Sequence, residues 1–130
     1  MILIIGGMSQ GKKEFARQLA GVGASEFGAD LADGWADPPQ SALQKPYLAS
    51  FHGWIRRILE EGGDPDVFVG QVLAAEPRII TMDEVGCGIV PVERTERVYR
   101  EAVGHAGQKL AGSAGEVYRM VCGIPQKIKG

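Results

Sequence analysis

The chain has 130 residues and 45% apolar content, enough for one hydrophobic core but small for an α/β protein. Its formal net charge of −2 argues against broad, non-specific contact with nucleic acid. No apolar run approaches the roughly twenty residues that a membrane span needs, and the five-residue run at the N-terminus is too short for a signal peptide.

Residues 1–5 are continuously apolar and rich in branched side chains, which predicts a parallel strand buried on both faces. They run into Gly6-Gly7-Met8-Ser9-Gln10-Gly11-Lys12-Lys13, a Gly-x-x-x-x-Gly-Lys spacing followed at once by a helical pattern. A buried strand, a glycine loop and then a helix form the setting of a phosphate-binding P-loop. Backbone N–H groups of such a loop converge on an anion, and the helix N-terminus adds partial positive charge. Gly6 and Gly11 suit positive φ and close approach of phosphate, and Lys12 would pair with the outer phosphates. Lys13 stands where the motif has the Ser or Thr that holds Mg²⁺. An ordinary strand–turn–helix opening of an α/β domain would show the same glycines without the function.

A helix is predicted over residues 11–21, with Phe15, Ala16, Leu19 and Ala20 on one face. Residues 22–46 are weakly patterned. A short strand is expected at residues 24–27, then turns at Asp30, Asp33-Gly34 and Asp37-Pro38-Pro39. Asp33 is the candidate acid in this stretch, with a turn-forming role as the alternative. Residues 47–51 read as a second buried strand with His52 at its carboxyl end, where open α/β sheets bind ligands. His52 suits either a functional or a packing role there. Trp54, Ile55, Ile58 and Leu59 form the stripe of the next helix, which Gly62-Gly63 stops.

Asp64-Pro65 opens a further helix as N-cap and first-turn proline, and Pro77 ends it. Residues 78–84 form an apolar strand closing on Asp83-Glu84. An acid at such a strand end reaches Mg²⁺, and a neighbouring acid can polarise a nucleophile. A loop with Gly86, Gly88 and Pro91 leaves the same rim. The longest helix is expected over residues 92–111, and Arg94 at its start either contacts phosphate or belongs to a solvated basic arc. A strand over residues 117–122 and a turn at Gly123-Ile124-Pro125 follow, with residues 126–129 as a final short strand or tail. Cys87 and Cys122 are far apart and lack metal-ligand spacing, which suits thiols in a reducing compartment. The expectation is a cytoplasmic chain forming a single nucleotide-binding domain over residues 1–130.

The N-terminal Met1-Ile2-Leu3-Ile4-Ile5-Gly6-Gly7, with Gly11-Lys12, resembles the opening of the bifunctional adenosylcobinamide kinase/adenosylcobinamide-phosphate guanylyltransferase family. The stretch Asp83-Glu84-Val85-Gly86-Cys87-Gly88-Ile89-Val90-Pro91, then Arg94, Arg97, Arg100, Gly104, Gln108 and Leu110-Ala111, is similar to a specific segment of that family. Glu116-Val117, Val121, Gly123-Ile124-Pro125 and Lys127-Ile128-Lys129 continue it. The resemblance implies a P-loop NTPase-like, three-layer α/β fold, a mostly parallel sheet flanked by helices. It implies nucleotide phosphates held by Gly6, Gly7, Ser9, Gln10, Gly11, Lys12 and Lys13, with Met8 in the same loop. It further implies Mg²⁺ near Asp83 or Glu84 and a homo-oligomer; with the reading of the residues above, Lys12, Asp83, Glu84 and Arg94 are the catalytic candidates. The implied activity is γ-phosphate transfer from ATP or GTP to a corrinoid alcohol in cobalamin biosynthesis; a non-catalytic nucleotide- or corrinoid-binding protein is the alternative. Three positions depart from the family: Lys13 for a hydroxyl, Gly107 for an asparagine, and a shortened stretch over residues 21–47 without the histidine that becomes guanylylated. No nucleic-acid or membrane partner is implied.

Overall fold

The computed structural model describes residues 1–8, 11–85 and 92–130, so the expectations for Ser9, Gln10 and the loop at residues 86–91 lie outside the described residues. The apolar opening forms strand β1, Ile2–Gly6. Helix α1, Lys12–Ala20, follows the glycine loop. Its N-cap Gly11 adopts the left-handed conformation, φ 88° and ψ 17°, a backbone that glycine enters without steric cost. At Gly6 the constraint is steric, because a Cβ there would lie 2.8 Å from the carbonyl oxygen of Met120.

Residues 24–27 are not a strand. They belong to helix α2, Ala24–Ala29, which buries Phe27 and stacks its ring on Tyr47 at 4.8 Å between centroids. Strand β2, Leu31–Asp33, and a 3-10 turn, Pro39–Leu43, occupy part of the stretch expected to be irregular. Strand β3 covers only Tyr47–Ala49. Helix α3, Phe51–Glu60, begins two residues later, so Phe51 and His52 are helical. Helix α4, Pro65–Ala75, starts at the expected Asp64 cap, whose side chain accepts from the Asp66 N–H. Strand β4, Ile79–Asp83, and helix α5, Arg94–Ser113, follow.

Strands β5, Glu116–Val121, and β6, Ile124–Lys129, close the chain. The turn between them is Cys122-Gly123 rather than residues 123–125, with φ of 51° and 77°. Two consecutive positive-φ residues match the twist of an antiparallel hairpin.

The sheet order is β2-β3-β4-β1-β5-β6. The first five strands are parallel, and β6 runs antiparallel on β5. Successive side chains of a strand point to opposite faces. Leu3, Leu48, Ile80 and Val117 therefore pack with Phe51, Trp54, Val69, Val103 and Leu110 on the side of α3, α4 and α5. Ile4, Tyr47, Ile79 and Met120 pack with Ala16 and Phe27 on the side of α1 and α2. The result is a mostly parallel α/β sheet between two helical layers. No helix among the described residues is long and apolar enough to cross a membrane.

Candidate active site

A cleft of about 290 Å³ opens beyond the carboxyl ends of β1 to β4, lined among others by Lys12, Lys13, Trp35, Ser50, His52 and Asp83. Ligands of open α/β sheets bind at this end of the strands. Lys12, the first residue of α1, is only 8% exposed. A buried ammonium needs partners, and Lys12 Nζ has two: it donates to the Gly7 carbonyl at 2.6 Å and pairs with Asp83 Oδ1 at 2.7 Å.

Asp83 ends β4, beside Gly6 at the end of β1. It is also bound to His52. The Asp83 N–H donates to His52 Nδ1 at 3.1 Å, and His52 Nε2 stands 3.4 Å from Asp83 Oδ2. A nitrogen that accepts carries no proton, so the neutral ring holds its proton on Nε2, facing the carboxylate. Burial pushes the imidazole below its usual 6.5; the Asp83 charge opposes that shift, and the Lys12 charge adds to it. The ring is therefore neutral near pH 7.

Local backbone geometry aims this histidine. Ser50 has φ 53° and ψ 47°, a left-handed turn uncommon for a side-chain-bearing residue, and its N–H donates to Thr81 Oγ1 at 3.3 Å. The strand thereby turns into α3 within one residue, and His52 falls in the helix's first turn against β4. Nearby, the turn after β2 is pinned to α3. Trp54 Nε1 and an Arg57 guanidinium nitrogen both donate to the Asp37 carbonyl, at 2.9 and 2.6 Å. Asp33, the candidate acid of that stretch, has a turn role: its Oδ1 accepts from the Trp35 N–H at 2.7 Å.

Of the residues expected at the site, Met8, Gly11, Lys12, Lys13 and Asp83 line this one cleft, with Gly6 and Gly7 in the strand end and turn that lead into it. Glu84 turns the other way. Its carboxylate meets Arg119 on β5 at 2.8 Å. Arg94, at the start of α5, lines a separate hollow with Arg56 and Tyr99. Glu14 lines the cleft with its negative charge held by Arg17 at 2.6 Å, and that hydrogen bond lowers its pKa.

Mg²⁺ is ordinarily held by one or two carboxylates together with phosphate oxygens and water. Asp83, on the cleft floor, fits such a role. Glu84 pairs with Arg119, and no cluster of three or more His, Cys, Asp or Glu is gathered among the described residues. Trp35 was not singled out from sequence. Its signal was an aromatic directly after the Asp33-Gly34 turn at a strand end.

Residues 66–128 match the family model described as cobinamide kinase / cobinamide phosphate guanyltransferase. Over 51 residues the chain is 45% identical to the bifunctional adenosylcobalamin biosynthesis protein CobU of Escherichia coli (strain K12), and equally to that of Salmonella typhimurium. Each match takes in 39% of this chain and 28% of the relative. The similarity to this family therefore lies in the C-terminal half of the chain, and the matched stretch spans less than a third of the relatives' length. The matched span holds Asp83, Glu84 and Arg94; the Gly6–Lys13 loop lies before it.

Proposed function

We propose that the cleft binds the phosphates of ATP or GTP and transfers the γ-phosphate to an alcohol of a cobinamide-type corrinoid. The observation that carries this reading is the Lys12–Asp83–His52 chain at the carboxyl ends of three adjacent strands. Phosphoryl transfer depends mainly on positioning and charge neutralisation. When triphosphate enters, Lys12 exchanges its Gly7 and Asp83 partners for phosphate oxygens, and the first N–H groups of α1 receive the remaining charge. Asp83, released from Lys12, faces the acceptor hydroxyl and any bound cation. Mg²⁺ held through Asp83 would neutralise charge building on the phosphate oxygens. His52 keeps Asp83 oriented through both ring nitrogens.

That same engagement speaks against His52 as the nucleophile of a guanylyl transfer, and residues 21–47 contain no histidine. The reading is therefore of the kinase step alone. The test is turnover of cobinamide with ATP or GTP, in Mg²⁺ and in Mn²⁺. The wild type should form the corrinoid phosphate, and Asp83→Asn should lower turnover roughly 100-fold. No product under any of these conditions overturns the reading. Lys13, a cation lining the cleft in place of a hydroxyl, favours a second reading, a nucleotide binder without transfer. Tight nucleotide binding that survives chelation, with no product, would support it.

A further inference from the structure

We propose that Trp35 is the shelf on which the phosphate acceptor rests, taking the flat apolar face of a large ring-bearing alcohol. This rests on the reading of the cleft as a phosphoryl-transfer site. The two tryptophans differ sharply: Trp54 is fully buried, whereas Trp35 is 52% exposed at the cleft rim. Its indole meets His52 edge to face, with centroids 5.5 Å apart and planes at 78°. An aromatic ring presented this way offers both area and a defined face.

The exposure is built in. The Gly34 N–H donates to the Ala49 carbonyl at 2.8 Å. Arg57 donates to the Gly34 carbonyl at 2.8 Å, and the Asp33 N–H donates to Asp37 Oδ2 at 2.7 Å. A Cβ on Gly34 would lie 1.9 Å from the Ser50 carbonyl oxygen, and one on Gly53 would lie 2.8 Å from Trp35 Cδ2. Backbone contact this close fixes the turn and holds the indole against α3. An indole left half in water by so many constraints forgoes burial it could otherwise gain.

Position gives the ligand class. Strand order β2-β3-β4-β1 sets Trp35, Ser50–His52, Asp83 and the phosphate loop side by side. Three strand spacings separate β1 from β2, about 14 Å. In-line transfer puts the acceptor opposite the leaving diphosphate. With phosphates on α1, the acceptor approaches over β4 and β3. Trp35 lines the β2 side of the cleft, with His52 between it and Asp83. It is in reach of a broad ring attached to the reacting hydroxyl by an arm. A corrinoid alcohol has that form; a small alcohol does not.

Separate calorimetric titrations of the full chain with cobinamide and with ATP or GTP test this. Trp35→Ala should weaken cobinamide binding about tenfold and leave nucleotide affinity within about twofold. Trp35→Phe should recover most of the loss. Cobinamide binding unmoved by Trp35→Ala, or nucleotide binding that falls equally, overturns the shelf. Wild-type protein that binds nucleotide but no cobinamide also overturns it and leaves the phosphate site standing. Trp35-dependent cobinamide binding without any transfer upholds the shelf and overturns the kinase reading.

Discussion

Asp83 makes three contacts with two residues: Lys12 and His52 through its two carboxylate oxygens, and His52 again through its N–H. This arrangement ties the folded state to one protonation state of His52. Burial depresses the histidine's folded pKa below 6.5, so the unfolded chain binds the proton more readily. Stability from this site is complete above about pH 6.5 and is lost as pH falls from there through the folded pKa. Protonation at Nδ1 would also replace an acceptor with a second donor facing the Asp83 N–H. The wild-type Tm should therefore fall on acidification below pH 6.5, before carboxylates titrate, and His52→Gln should flatten the profile in that window. An unchanged profile in the variant would sink the argument. At this scale Lys12 and Asp83, which the structure pairs, each carry a local sequence signal, a glycine loop and an acidic strand end. The sequence left His52 undecided between function and packing, since the deciding contact joins residues 31 positions apart.

Elements were legible where one physical signal dominated. The unbroken apolar run of β1 and the Asp64-Pro65 start of α4 emerged as expected. Residues 24–27 did not, because a six-residue helix has too few turns to display a period; its place is set by Phe27 packing on Tyr47. Phe51 looked like strand because it is apolar, but the left-handed Ser50 ends β3 first. The turn after β2 depends on contact more than on propensity, and this gives a paired prediction. Gly34→Ala forces a Cβ against the Ser50 carbonyl and should destabilise by about 2 kcal/mol or more. Gly28→Ala lies in α2 with nothing within 4 Å of the new Cβ, and should stabilise by about 0.5–1 kcal/mol. Urea unfolding should give a lower midpoint for the first and a higher one for the second, at unchanged slope. Equal midpoints would remove the contact argument.

For the whole molecule, alternating strands and helices indicated a parallel α/β sheet, but strand order was not readable, because it depends on which crossovers span which neighbours. The order matters, since it brings β2 and its tryptophan into line with the glycine loop before α1. The assembled charge distribution carries a kinetic consequence of the Lys12–Asp83 pair. In the ligand-free protein Lys12 is buried and neutralised, and Glu14 is offset by Arg17, so the exposed Lys13 supplies the cleft's outward positive charge. On the proposed reading, a triphosphate approaching a chain of net charge −2 would be steered by Lys13, and Lys12 would act only after contact. Stopped-flow binding should show Lys13→Ala slowing association at least about threefold and flattening its dependence on salt, because steering is screened by ions. Lys12→Ala should chiefly speed release. If Lys13→Ala alters release alone, capture and grip are not divided between the two lysines.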